Sequence, residues 1–579
     1  MSRRLFSRER KTSLLRFSLF SSGLTYAAGD LRLIHLLDFI YLLILCSFPL
    51  SALLHRGGTF PQPLGSFTTA TSTGSSEAKI EAGDRRALPV EKSPGVKGRT
   101  LILLDVNTKS PVRIISENFL SLQLDPSIIH DGWLDFLSSR RLVTLARGLA
   151  PAFLRFAGKR TDFLQFHNVK NPAKSRGGPG PDYYLKNYED ARSLDKLYNF
   201  ADCSGLHLIF ALNALRRNPN NSWNSSNALS LLKYSASKKY NISWELGNEP
   251  NNYRTLIGRS VNGSQLGKDY IQLRSLLQLI RTYSRANLYG PNIGRPRKNV
   301  MALLEGFMKV AGSTVDAVTW QHYYIDGRVA KVTDFLKTRL LDTLSDQIRK
   351  IQKVVNTYTP GKKIWLEGVG ATSAGGMNNL SDSYAAGFLW LNTLGLLASQ
   401  GIDVVVRHSF LDHGHNHLVD QNFNPLPDYW LSLLYKRLIG PKVLAIHVAG
   451  LQRKPRPGRV IRDKLRIYAH CTSSHNHNYV RGSITLYIIN LHRSRKKIKL
   501  AGTLRDKIVH QYLLQPYGKD GLHSKSVQLN GQPLAMVDDG TLPELKPRPL
   551  RAGRTLVIPP LTMSFYVVKN VNALACRYR

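Results

Sequence analysis

At 579 residues, of which 42% are hydrophobic, the chain is long enough for more than one packed domain and too apolar to stay unfolded. Eighty Lys plus Arg against 39 Asp plus Glu give a formal net charge of +41, which implies a polyanionic partner, either nucleic acid or a sulfated glycosaminoglycan. Four cysteines exclude a disulfide scaffold.

Taken in chain order, residues 1–38 are rich in Arg and Lys, and residues 39–54 form an uncharged apolar run of 16. That length suits the apolar segment of a signal sequence better than a membrane span of about 20 residues. Residues 1–54 therefore read as a signal sequence cleaved after Ser51, with an uncleaved signal-anchor or a misassigned first exon as the other readings. Residues 55–98, rich in Gly, Ser, Thr and Pro, read as a flexible lead-in. From 99 to 440, strand-like runs at 100–106, 153–156, 206–212, 243–246, 315–320, 363–366 and 404–406 alternate with helical stretches such as 266–283 and 331–357. That alternation predicts an α/β fold, a (β/α)8 TIM-type barrel. Beyond Pro441 the runs shorten to strands at 466–470, 483–491, 508–514 and 555–558 with turn residues between, which predicts a β-sandwich over 441–579.

Residues 244–250, Trp-Glu-Leu-Gly-Asn-Glu-Pro, form an apolar strand ending in Asn-Glu-Pro. A sugar-cleaving barrel needs a general acid at the C-terminal end of a strand, which makes Glu249 the candidate and Asn248 an amide for a neighbouring sugar hydroxyl. A surface turn would read the same in isolation. Both retaining and inverting mechanisms need a second carboxylate across the scissile bond. At roughly 40 residues per βα unit, three units on, the search falls near residue 370. There residues 362–370 read Lys-Lys-Ile-Trp-Leu-Glu-Gly-Val-Gly, and Glu367 is the carboxylate available.

With these two strands, and with Thr-Leu-Ala-Arg-Gly-Leu at 144–149, Val-Thr-Trp-Gln-His-Tyr-Tyr at 318–324 and Asp-Tyr-Trp-Leu-Ser-Leu-Leu at 428–434, the chain resembles the heparanase family over residues 99–579. The resemblance implies that Asn248 and Glu249 are the motif pair whose Glu donates the proton. It does not carry over a nucleophile. Active members read Trp-Leu-Gly-Glu where this chain has Trp365-Leu366-Glu367-Gly368, so Glu367 is displaced by one position and Gly368 occupies the nucleophile's place. Alternation with period two then turns Glu367 away from the sugar, unless a bulge at Gly368 or Gly370 re-aims it. Gln321 stands where active members have the first His of His-His-Tyr, leaving His322 and Tyr323 matched to saccharide contacts. Ser373 and Asn416 each replace a Tyr, His408 replaces a Gln, and Asp125 matches a substrate-contacting position. The resemblance also implies a Cys471–Cys576 bridge. It leaves Cys203 without a partner, because around residues 190–192 the chain is several dozen residues shorter than the family, including the segment excised on maturation. That shortening, from a splice form or an incomplete gene, puts the early barrel units in question.

Sequons at Asn220, Asn224, Asn241, Asn262 and Asn379 favour the secretory route, and so a glycosaminoglycan over nucleic acid. An extended 492–499 segment would align Arg493, Arg495, Lys497 and Lys499 on one face. Arg453, Lys454, Arg456, Arg459, Arg462, Lys464 and Arg466 form a second cluster. Arg295, Arg297 and Lys298 form a third, which matches a heparin-binding loop of the family. No metal-ligand spacing or cofactor motif is present, and the His413/His415 and His475/His477 pairs read as loop histidines. The expectation is a secreted protein of the extracellular matrix or cell surface that binds heparan sulfate or heparin proteoglycans without turnover. It would restrain an active heparanase by competing for substrate or by contact, and would touch a membrane only through an uncleaved anchor. The alternative is a working retaining endo-β-glucuronidase with Glu249 as acid/base and Glu367 as nucleophile. An intracellular nucleic-acid binder ranks last, since no groove-reading motif accompanies the charge.

Overall fold

The computed structural model describes residues 101–130, 133–167, 187–449 and 464–578. Eight parallel strands close a barrel in chain order: β1 (Leu120–Leu124), β2 (Ala152–Phe156), β3 (Leu206–Leu212), β4 (Ile242–Leu246), β5 (Leu288–Ile293), β6 (Ala317–Ile325), β7 (Lys363–Thr372) and β8 (Val404–Arg407), the last pairing with β1. These strands are covered on both faces, which is why runs such as Val-Val-Val-Arg in β8 are buried at every position. Outward residues such as Trp244 and Leu246 meet the helix layer, while Phe153, Ile209, Tyr289, Trp365 and Val406 pack together inside. Among the described residues of the early units placed in question by the shortened segment, β1, β2 and β3 are neighbours and in register.

The surrounding helices carry one apolar stripe each. Thr338–Tyr358 buries Leu341, Leu344, Ile348, Ile351 and Val355, a spacing of three and four that keeps one face on the barrel. Helix Gly263–Leu279 approaches helix Lys298–Ala311 closely at Gly263, where a Cβ would run into the Leu303 carbonyl oxygen.

The sandwich joins a nine-stranded sheet to a four-stranded one, with Ile488 and Ile498 among its buried core. Here one expectation is corrected. The run at 100–106, expected as a barrel strand, is strand Leu101–Val106 of the four-stranded sheet, parallel to Lys496–Leu500 and antiparallel to Ile446–Ala449. Its Leu101 and Leu103 are exposed while Ile102 and Leu104 are buried, an alternation that the apolar run Leu-Ile-Leu-Leu at 101–104 conceals. Arg113–Ile114 likewise pairs with Ile439–Leu444, so the barrel begins at Leu120.

The bridge implied between Cys471 and Cys576 is formed, with a Cα–Cα distance of 5.5 Å, and it ties the chain end to strand Leu465–Thr472. Cys203 is free and exposed. Among the described residues no helix is long and apolar enough to cross a membrane. The expectations for residues 1–54 and 55–98, and for Arg453, Lys454, Arg456, Arg459 and Arg462, lie outside the described residues.

Candidate active site

Beyond Leu246, at the end of β4, the chain turns over the barrel mouth. Gly247 takes φ +80°, and a Cβ there would collide with the Tyr253 hydroxyl. The next peptide is fixed by Asp162, whose carboxylate accepts from Asn248 N at 3.0 Å and from Ala214 N at 2.8 Å. One buried side chain thus joins the loops after β3 and β4, and burial pushes it up to about 6. Glu249 sits at φ +45°, a left-handed backbone that a side chain seldom adopts and that persists only where its surroundings impose it. Its N–H donates to the Asn292 carbonyl oxygen at 3.1 Å. Burial raises the Glu249 carboxyl above the ordinary range, against the opposing pull of Arg155 and Lys159. A proton-donor position gains from this, because a carboxylic acid must reach working pH still protonated.

The end of β7 is built differently. Trp320 of β6 pairs with Leu366 and His322 with Val369, while Glu367 pairs with Val406 of β8 and Val369 with Arg407. Gly368 is one extra residue against both neighbours, a bulge at φ +112°. Below it, Trp365 packs inside the barrel against Tyr289 and Phe153, with ring centroids 4.1 and 5.1 Å away. Glu367, two residues on, faces inward as well, so the expectation that it turns to the opposite face is corrected. At the bulge a Cβ on Gly368 would also point inward, 2.9 Å from Gln321 Cδ.

Facing inward does not bring Glu367 to the mouth. Its side chain is fully buried, with Oε2 3.4 Å from Arg155 Nε and 3.4 Å from Asn292 Nδ2. Arg155, itself 0% exposed, also holds Glu245 Oε2 at 2.8 Å, Gln123 Oε1 at 3.2 Å and Asn248 Oδ1 at 3.2 Å. One guanidinium therefore bridges carboxylates from β4 and β7 across the interior. Burial drives Glu245 well above its ordinary value, Arg155 opposing and Glu367 reinforcing, so the interior favours a retained proton. Sequence reasoning missed Arg155, Glu245, Asp162 and Asn292. Opposite charges inside the otherwise apolar strands Ala-Phe-Leu-Arg-Phe and Ile-Ser-Trp-Glu-Leu were the available signal.

The other expected residues separate. Gln321 projects inward, its Nε2 donating to Asn292 Oδ1 at 2.6 Å and to Asn248 Oδ1 at 3.3 Å. Tyr323 is half-buried at the mouth, its ring 6.1 Å from that of His408. His322 between them is corrected as a saccharide contact. It is fully buried among Tyr324 and Trp320, with ring centroids at 4.7 and 6.2 Å, on the face where Tyr324 meets Thr393 of helix Ala386–Ser399. Burial lowers it to about 3. Asp125 is buried with both oxygens engaged, by Ser127 N at 2.8 Å and Lys159 N at 2.7 Å, and its field reaches His408. Asn416 donates from Nδ2 to the Thr372 carbonyl at 2.6 Å, and Ser373 N donates to Ile325 O at 2.8 Å.

Arg295 and Arg297 are exposed on the loop after β5, and Lys298 is exposed at the first position of helix Lys298–Ala311. The predicted four-residue cationic face is smaller than expected. Arg493 and Arg495 lie in the bend before strand Lys496–Leu500, Lys497 is exposed, and the half-buried Lys499 donates its amine to the Gly553 carbonyl. Asn220, Asn241, Asn262 and Asn379 are exposed and Asn224 is half-buried, with Asn262 Oδ1 also capping helix Gly263–Leu279 through Gln265 N at 2.8 Å. Among the described residues no group of three or more His, Cys, Asp or Glu is arranged to hold a metal ion.

A family model described as the N-terminal domain of glycosyl hydrolase family 79 matches residues 187–395. The chain is 81% identical over 553 residues to a Homo sapiens protein named inactive heparanase-2, covering 86% of this chain and 93% of that one. It is 46% identical over 512 residues to the Mus musculus protein named heparanase, covering 82% and 94%. A 4-O-α-L-rhamnosyl-β-D-glucuronidase from Fusarium oxysporum resembles it in structure with a TM-score of 0.58 at 13% identity, covering 80% of this chain and all of that one. At that identity the likeness is one of fold.

Proposed function

We propose that this chain, which belongs to the heparanase family, is a secreted protein that binds heparan sulfate and heparin without hydrolysing them. The observation that carries the reading is the end of β7. Glycine stands at the bulge where the family's attacking group belongs, and the nearest carboxylate on that strand is buried against Arg155. A retaining mechanism needs its two carboxyl groups about 5 to 5.5 Å apart with the sugar between them, and a carboxylate held inside the barrel wall is not presented to a sugar. The name of the human relative supports the same reading. A net charge of +41 and the exposed Arg295, Arg297 and Lys298 beside the mouth suit a sulfated chain, since a guanidinium fork can give two hydrogen bonds to one sulfate. Near Glu249 the raised carboxyl adds less repulsion than an ionised pair would. Such a protein would restrain an active heparanase by occupying its substrate or by contacting it. Secretion rests on the apolar run at 39–54 and the sequons.

A second reading, a retaining endo-β-glucuronidase using Glu249 and Glu367, has one observation in its favour: Glu367 faces the barrel interior on the appropriate strand. Labelled heparan sulfate incubated with the purified protein and then sized separates the two. Chains of unchanged length, with protein retained on heparin and released by salt, are the expected result. Fragments that vanish in both Glu249→Gln and Glu367→Gln would overturn it.

A further inference from the structure

We infer that Gln321 is a plug that closes the attacking half of the site, while the acid half around Glu249 remains complete beside it. The inference rests on the non-hydrolytic reading above and adds a second residue to its cause.

The three heavy atoms nearest a Cβ built on Gly368 all belong to Gln321: Cδ at 2.9 Å, Cγ at 3.0 Å and Oε1 at 3.2 Å. The direction in which an attacking side chain would project is therefore filled by one neutral amide. That amide is not a loose end. Its Nε2 is held between Asn292 Oδ1 at 2.6 Å and Asn248 Oδ1 at 3.3 Å, and Asn248 precedes Glu249. The plug is thus locked to both halves of the site, with the residue bearing it only 4% exposed. Two changes, at 321 and at 368, have to be undone together. Gly368→Glu alone would place a side chain at φ +112° and drive it into Gln321.

Shortening Gln321 leaves a polar hollow bordered by the Asn248 and Asn292 amides, with Arg155 behind Asn248. A small anion fits the chemistry of that hollow. Azide placed there would form a bond to C1 of a glucuronate from the face opposite the leaving oxygen. As the C1–O bond breaks, the leaving oxygen takes the proton of Glu249, which water later restores. The products are a glycosyl azide and a chain with a free hydroxyl end. No oxidant or metal is needed for the balance.

The test uses the full chain, labelled heparan sulfate and sodium azide, reading both fragment size and azide at new chain ends. Wild type should give no fragments with or without azide, and Gln321→Ala should give azide-terminated fragments at least tenfold above it. Adding Glu249→Gln should lower that yield about a hundredfold. Gln321→Ser serves if the alanine variant does not fold, with folding judged by thermal melting and heparin retention. A folded, heparin-binding variant that forms no azide-terminated ends overturns the plug and leaves the proposed function standing. Fragmentation by the wild type would instead overturn that function first.

Discussion

The ends of β4 and β7 look into the same barrel mouth, and both keep unusual backbone. Gly247 and Glu249 hold φ +80° and +45°, and Gly368 holds φ +112° in a bulge against two strands. What differs is the side chain. The β4 end retains a carboxyl that burial keeps protonated above the usual range. The β7 end has none at that position, and Gln321 fills the space. The framework of such a site is held by buried partners outside the reacting groups, here Asp162, Asn292 and Arg155, and losing any of these leaves polar groups unpaired.

The largest expected effect comes from Arg155→Met, which leaves Glu245 and Glu367 buried without a cation. It should cost about 3–5 kcal/mol in chemical denaturation, with partial recovery on adding Glu367→Gln. A loss under about 1 kcal/mol would mean that Glu367 is not held as described.

Next in size are two opposed backbone substitutions. Gly368→Ala should destabilise by about 1–3 kcal/mol, relieved in part by Gln321→Ala, whereas Glu249→Gly should be neutral or stabilising by about 1 kcal/mol because it releases left-handed strain. Equal signs in thermal melting would dissolve the contrast between the two ends.

The pH dependence is smaller and has a definite sign. Asp162 has its folded value raised from 3.8 to about 6, so its contribution to stability is complete below about 4 and is lost as pH rises through about 6. Asp162→Asn should flatten that part of a melting-temperature profile. Glu249 is raised too, so affinity for a polyanion should fall as pH climbs from the ordinary carboxylate range through its elevated value. Heparin retention at constant ionic strength checks this, and in Glu249→Gln that part of the fall should be absent.

The smallest effect is expected at the surface. Lys497→Ala should reduce the salt dependence of heparin binding by about one ion, as Arg297→Ala should at the mouth, with little change in melting. A larger loss at Arg297 than at Lys497 would place the polymer over the barrel mouth rather than along the sandwich.

The strands at both sides of the candidate site were legible because a barrel strand buried on both faces must be written as an apolar run, and the candidate acid Glu249 follows such a run, Ile242–Leu246. The glycine at 368 could be read directly, as could the pair of cysteines through the family resemblance. Four sites were not legible, each for a reason of register or partner. The inward direction of Glu367 follows from the packing of Trp365 inside the barrel, and that of position 368 from a bulge defined only by what β6 and β8 place beside it. His322 is carried to the helix side by the alternation of β6 between the inward Gln321 and Tyr323. The Arg155 bridge joins residues some 90 and 212 positions distant in sequence, at Glu245 and Glu367. The run at 101–106 has the same composition whether it closes a barrel or edges a sandwich, and only its pairing with Lys496–Leu500 decides.

Composition and local spacing by themselves determined the net positive charge and most of the apolar runs that become barrel strands, and together with the family resemblance they made Glu249 the candidate acid. Tertiary structure alone decided which side chains share the interior, because periodicity records alternation along one strand but carries no information on where a neighbouring strand shifts that alternation by one.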